Sequence, residues 1–217
     1  NKKVPKAVIC PHEYVALSAA HGYALASGEA QGVFVHTDVG TQNLGGAVHN
    51  AARSCVPVFI FAGETPYTLE GELPGSRNNS VNHLQDVYDQ RGILRPYLKW
   101  DYGIRTGKNV KQLVYRAMQL AHSEPQGPVF LTGAREVMEE EIDPIPDRSA
   151  KWPPIAKSPL PAAGVERIVS ALAAAERPLI ITSSLGRNEE AVQELVRFAE
   201  KLAVPVVEAF HTHMNFP

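Results

Sequence analysis

Apolar positions along the chain gather into short β-rich runs separated by longer stretches with helical spacing. The runs are Lys6 to Cys10, Gly32 to His36, Val56 to Phe61, Pro128 to Thr132, Pro178 to Thr182 and Pro205 to Glu208. This alternation predicts an α/β fold, a parallel sheet flanked by helices. Between the runs, Ala16, Ala19, Ala20, Tyr23 and Ala24 share one helical face, and Val110, Leu113, Val114, Ala117 and Ala121 share another; both faces are expected to pack on the sheet. Asn109 and Asn188 stand at N-cap positions, and Glu189 and Glu190 place negative charge in the first turn of the last helix.

The alternation breaks between Glu139 and Ala163, where three acidic residues precede Pro144, Pro146, Pro153, Pro154, Pro159 and Pro161. Proline at that density resists helix and sheet alike, so residues 139–163 read as a linker between a first domain, 1–138, and a second, 164–217. The second opens with a helix through Val165, Ile168, Val169 and Leu172 and continues as strand, turn, helix and strand. Two strands and two helices are fewer than a complete core needs, so this domain is expected to be incomplete and the sequence a fragment.

Composition narrows the function without naming it. The 217 residues are 44% apolar and 20% charged, which is globular composition. A net charge of −2 from 21 basic and 23 acidic residues offers no broad attraction for nucleic acid or an anionic membrane. No apolar run approaches the roughly 20 residues that span a bilayer, and the first residues lack a signal peptide's apolar stretch, so a cytoplasmic protein is expected. Cys10 and Cys55 lie in apolar, strand-like surroundings and read as reduced core residues.

In Cys10-Pro11-His12-Glu13-Tyr14 a strand ends, Pro11 suits a first helical turn, and Glu13 lands at the helix start. A glutamate there ordinarily just complements the helix dipole. Its company changes the reading. Gly22-Tyr23-Ala24 follows, then a strand ending at His36, then Asp38-Val39-Gly40-Thr41-Gln42-Asn43, Gly45-Gly46-Ala47, and Gly63-Glu64-Thr65-Pro66 after the next strand. Further on come Leu84-Gln85-Asp86, Lys99-Trp100 and Gly127-Pro128-Val129.

In order and approximate spacing, this series over residues 7 to 137 resembles the pyrimidine-binding domain of thiamine diphosphate enzymes, above all the acetolactate synthase-like branch. The resemblance implies the thiamine diphosphate-binding fold, entered after its first strand, followed by the start of a Rossmann-like central domain. It implies that Glu13 hydrogen-bonds the cofactor's pyrimidine ring nitrogen, so that the neighbouring imino group takes the thiazolium proton and an ylid nucleophile forms. A partly desolvated site, with Val8, Ile9 and Val15 nearby, would raise the Glu13 pKa for that task. Gly40 and Asn43 fall at the cofactor turn. Gly40 would let the backbone approach a ligand, and Asn43 is expected to begin the next helix, capping it or facing the cofactor. Gln85, Leu84 and His36 fall at the substrate pocket; Leu84 replaces the family's aromatic residue.

The implied reaction is decarboxylation of a 2-keto acid resembling pyruvate, with transfer of the enamine to an acceptor. Alternatives are another thiamine diphosphate lyase or decarboxylase, or a non-catalytic binding or assembly module. The family holds the diphosphate through Mg2+ with a Gly-Asp-Gly motif and a later Asn; this sequence has no such motif, so that role falls to a domain outside it. Some members bind FAD in the central domain, but Ser183-Ser184-Leu185-Gly186 replaces their glycine cluster and weakens that expectation. A homodimer or tetramer is implied, since two subunits normally share each site. No pair among His12, His21, His36, His49 and His83 has zinc-ligand spacing. Arg77, Arg91 and Arg95 are expected in salt bridges, with an anion site as the alternative. A nicotinamide-binding protein is disfavoured because no Gly-x-Gly-x-x-Gly follows a predicted strand.

Overall fold

The computed structural model describes residues 5–210 and 212–217, in two compact units, 1–156 and 157–217. In the first unit, β1 (Gln31–Val35), β2 (Val58–Glu64), β3 (Trp100–Ile104) and β4 (Val129–Ala134) form one parallel sheet in the order β1-β2-β4-β3. Val33 pairs with Ile60, Ile60 with Phe130, and Tyr102 with Leu131. β4 lies between two strands and is buried along its whole length. Its residues are apolar apart from Thr132, which hydrogen-bonds Glu64, whereas β2, also between two strands, is buried at alternate positions.

Helices α1 (Glu13–Ser27) and α3 (Gly45–Arg53) cover one face of the sheet. Leu17, Ala20, Ala24, Val48 and Ala51 meet Val33, Val58, Ile60 and Phe130 there. On the other face α5 (Val110–His122) packs Leu113, Ala117 and Ala121 against Val129 and Leu131, the face its spacing predicts. α1 departs from expectation: Leu17, Ala20 and Ala24 are buried, while Ala19 and Tyr23 are exposed. This helix is apolar on nearly all sides, so its periodicity does not single out the sheet-facing stripe.

Two further expectations fail. Residues 6–10 are not a strand; no described strand pairs with them, and Val8 and Ile9 stand 73% and 97% exposed. An extended segment without a hydrogen-bonded neighbour gains nothing from its β-rich composition. Asn109 holds the N-cap position of α5, as expected, without a side-chain hydrogen bond: its Oδ1 is buried with no partner among the described residues, while Thr106 caps the single turn before α5 by accepting the Lys108 N–H. Asn188 holds the N-cap position of α8 (Glu189–Leu202) without a side-chain hydrogen bond. Cys10 and Cys55 are free and only half-buried.

The proline-rich segment is hydrogen-bonded along α5 as far as Ile155. Glu140 accepts the Gly107 N–H at 2.6 Å, Lys111 Nζ donates to the Ile145 carbonyl, Tyr115 donates to Asp147 at 2.7 Å, and Gln119 to the Pro153 carbonyl at 2.7 Å. Two donors hold Asp147, the Ser149 N–H first and Tyr115 next, and lower its carboxyl pKa to about 2.

In the second unit, β5 (Ile180–Thr182) and β6 (Val206–Glu208) pair in parallel, with α7 (Ala162–Ala174) and α8 in the same unit. Val192 and Ala199 of α8 are buried, and no residue of α7 is. No described helix is long and apolar enough to cross a membrane.

Candidate cofactor site at the carboxyl end of the sheet

α1 begins at Glu13, two residues after Pro11, which stays outside the helix. His12 is the extended N-cap, its Nδ1 accepting the Tyr14 N–H at 3.1 Å. Glu13 therefore sits on the first turn with its carboxylate toward α2 (Thr37–Asn43), which follows directly from β1. Asn43 closes α2 rather than opening the next helix, and its Nδ2 donates to Glu13 Oε2 at 2.9 Å. Gly40 lies between them: a Cβ there would stand 3.2 Å from Val35 Cβ and 3.4 Å from Glu13 Oε1. Its missing side chain clears the space around the carboxylate at the end of β1. At Gly46 a Cβ would meet the Tyr14 ring at 3.2 Å, so α3 also depends on a glycine to approach α1.

The Glu13 carboxyl is held below its ordinary range, first by its own backbone N–H, then by the Asn43 amide, with His12 assisting against a small effect of burial. The expected rise does not occur in this chain. Val8, Ile9 and Val15 point into solvent instead of walling the carboxylate, whose side chain is 31% exposed.

The frame behind α2 is polar and buried. Thr37 has φ +38, an unusual conformation for a β-branched residue. Its carbonyl accepts the hydroxyl of Thr41 at 2.7 Å, and Gln90 Nε2 donates both to Thr41 Oγ1 at 3.1 Å and to the Gly63 carbonyl at 2.8 Å. Thr41 and Gln90 are buried. They tie α2 to the end of β2, hold the strained turn, and were not singled out by sequence. A glutamine within Asp89-Gln90-Arg91 carries no signal of burial, because its partners are distant along the chain.

His36 caps α2 by position only; it is exposed, with Nδ1 3.1 Å from Thr37 Oγ1. Leu84 ends the four-residue α4 (Val81–Leu84) and is 82% exposed; Gln85 follows, half-buried. Glu13, Gly40 and Asn43 are thus brought together, with His36 at the opposite end of α2. Leu84 and Gln85 lie on a separate segment after β2.

All three arginines bind carboxylates. Arg77 meets Asp86, Arg91 meets Asp101 at 3.1 Å, and Arg95 bridges Asp89 and Asp101 at 2.7 and 3.2 Å. Among the described residues no His, Cys, Asp and Glu cluster could hold a metal ion.

The turn after β5 does not fit a dinucleotide phosphate. A Cβ on Gly186 would collide with the Met214 carbonyl oxygen and lie 2.8 Å from His213 Cβ. The Gly186 N–H is already given to Asn215 Oδ1 at 3.0 Å, and Asn215 is fully buried. The chain's own backbone fills the cradle that a phosphate would need.

Residues 1–93 match the family described as thiamine pyrophosphate enzyme, N-terminal TPP binding domain, and residues 165–217 match its central domain. The probable acetolactate synthase large subunit of Methanocaldococcus jannaschii is 30% identical over 218 residues, covering 97% of this chain and 34% of that protein. The acetolactate synthase large subunit of Lactococcus lactis is 27% identical over 202 residues, covering 92% and 33%. The chain therefore spans about a third of the length of these relatives. Among solved structures, a thiamin diphosphate-dependent enzyme isolated from Mycobacterium smegmatis aligns with TM-score 0.73 at 26% identity over 97% of this chain and 38% of that one. A 4-hydroxybenzoylformate decarboxylase of Rhodococcus jostii shares the fold with TM-score 0.74 at 24% identity, over 92% and 36%.

Proposed function

The chain belongs to the thiamine pyrophosphate enzymes, in their acetolactate synthase-like group, and from that premise we propose that Glu13 is the carboxylate that acts on the cofactor's pyrimidine ring. The reaction we assign is decarboxylation of a 2-keto acid such as pyruvate, with the remaining carbons joined to an acceptor. The observation that carries the reading is the Glu13–Asn43 hydrogen bond at 2.9 Å beside the bare face of Gly40.

Thiamine diphosphate, when bound, supplies a thiazolium that stabilises negative charge on the reacting carbon. This chain's part is to hold a proton at the pyrimidine nitrogen. Asn43 fixes one oxygen of Glu13, and the other faces the space that Gly40 leaves open. The low pKa keeps Glu13 ionised and accepting at neutral pH. A partner surface closing over Val8, Ile9 and Val15 would desolvate the carboxylate and raise that pKa toward the value the chemistry needs. For this reason we assign a homodimer or tetramer with sites completed between subunits. Mg2+ and the diphosphate are assigned to a part of the protein outside these residues. FAD is not assigned to the turn after β5, which is closed.

His36, Leu84 and Gln85 are the proposed substrate-side residues. Leu84 in place of an aromatic residue favours a second reading, a decarboxylase or lyase with another 2-keto acid. We place the enzyme in the cytoplasm.

The test is pyruvate consumption by the full-length protein with thiamine diphosphate and Mg2+, with Glu13→Gln in parallel. The expected result is acetolactate formation in the wild type and a loss of 10²-fold or more, on the order expected for removing an acid–base group, in the variant. Turnover of a different 2-keto acid, still lost in Glu13→Gln, selects the second reading. A protein that binds no cofactor is an assembly module instead.

A further inference from the structure

The Glu13 site leaves unexplained the polar groups that stand behind Leu84 and Gln85. The Arg77 side chain is only 16% exposed and uses all three guanidinium nitrogens. Nε donates to the Pro66 carbonyl at 2.7 Å, Nη1 lies 3.0 Å from His83 Nδ1, and Nη2 donates to Asp86 Oδ2 at 2.5 Å. One side chain thus ties the turn leaving β2 to the short helix that carries Leu84 and to the residue after Gln85. Thr65 Oγ1 adds a hydrogen bond to Asp86 Oδ1 at 3.3 Å.

The segment carrying Arg77 is seated independently. The N–H and hydroxyl of Thr68 both donate to Glu136 Oε1, at 2.8 and 2.5 Å, and the Arg77 N–H donates to the Thr68 carbonyl at 3.0 Å. Gly75 has φ +83, and a Cβ on it would lie 2.7 Å from the Arg135 carbonyl carbon and the Glu136 nitrogen, so only glycine fits.

A guanidinium has donors and no acceptor, so His83 Nδ1 must accept. The imidazole is then neutral with its proton on Nε2. Nε2 has no hydrogen-bond partner among the described residues, and the ring is exposed, next to Leu84. Arg77 keeps its own charge behind the turn, balanced by Asp86.

We propose that Arg77 is a positioning residue and that His83, held by it in the Nε2–H form, donates a hydrogen bond to the carboxylate of the 2-keto acid. This rests on the function proposed above for the Glu13 site. A neutral donor suits a carboxylate that is about to be lost: it orients the group without the stabilisation a cation would give the ground state, which would oppose decarboxylation.

The test uses the full-length protein with thiamine diphosphate and Mg2+, and steady-state kinetics on whichever of pyruvate, 2-ketobutyrate or benzoylformate it turns over best. Arg77→Lys keeps the charge and loses the three-way fork, whereas His83→Phe removes the donor from an exposed position. Each is expected to raise KM on the order of tenfold with kcat within about twofold, the size of one hydrogen bond to a charged group. The double variant should be no worse than the more severe single, since both act on one contact. His83→Gln, which restores a donor near the place of Nε2, should recover most of the loss. An unchanged KM in His83→Phe, or effects that multiply, would overturn the proposal. If turnover disappears in Glu13→Gln while His83→Phe is silent, this inference alone fails. If the wild type turns over none of the three acids, the function proposed above fails and takes this one with it.

Discussion

Glu13 and Gln85 are both polar side chains assigned to one reacting centre, yet the molecule holds their surroundings by opposite means. Around Glu13 the support is buried packing: Thr41 and Leu44 are fully buried, Gln90 nearly so, and the hydrogen bonds among them join α2 to β2. Around Gln85 the support is ionic and near the surface, an arginine fork on Asp86, with Leu84 82% exposed. A packed frame fixes geometry over a wide range of conditions, while an ion-held turn responds to pH and salt. The division suits a site whose cofactor side stays constant while its substrate side adjusts.

The difference can be broken from either side. The largest effect is expected from Gln90→Leu, which strips the hydrogen bonds from the buried Thr41 hydroxyl and the half-buried Gly63 carbonyl and frees the strained turn at Thr37. The expected cost is about 1–3 kcal/mol, read from urea unfolding of the variant against wild type. An unchanged midpoint would show that packing alone holds α2.

Acid should act selectively on the other side. The Asp86 carboxyl is held below its ordinary 3.8, chiefly by Arg77. A folded-state pKa below the unfolded one gives stabilisation that is present above pH 3.8 and lost as pH falls through the lowered value. Amide exchange compared at pH 5 and pH 3 should show residues 77–86 losing protection while residues 129–134 of β4 keep theirs. Equal loss in both segments would mean that the fork adds nothing of its own.

The smallest effect is that of salt. About 1 M NaCl, where screening acts over roughly 3 Å, should loosen residues 77–86 slightly and leave the Glu13–Asn43 contact as it is.

What could be read from sequence follows the same division. β2, β4 and α5 were legible because each has one buried face or two, and burial imprints a period on the chain. β3 is not legible as a strand because Trp100-Asp101-Tyr102-Gly103-Ile104 mixes a carboxylate and a glycine into half-buried positions at the sheet's edge. Residues 6–10 have the composition of a strand without a partner, which composition cannot reveal. In the site, Glu13 and Gly40 were legible through local motifs. The Asn43 contact spans 30 residues and Gln90 reaches Thr41 across 49, and such pairings are fixed by topology rather than by spacing. The pKa of Glu13 departs from expectation for a related reason: its apolar neighbours in sequence, Val8, Ile9 and Val15, are not its neighbours in space.

The most direct test of Glu13 as the activating carboxylate is the exchange of the thiazolium C2 proton of thiamine diphosphate for deuterium, followed by NMR on the full-length protein with Mg2+. The prediction is exchange much faster than for the free cofactor in the wild type, falling by 10²-fold or more in Glu13→Gln, on the scale of a lost acid–base group, with cofactor binding retained. Exchange equally fast in the two proteins would contradict the assignment.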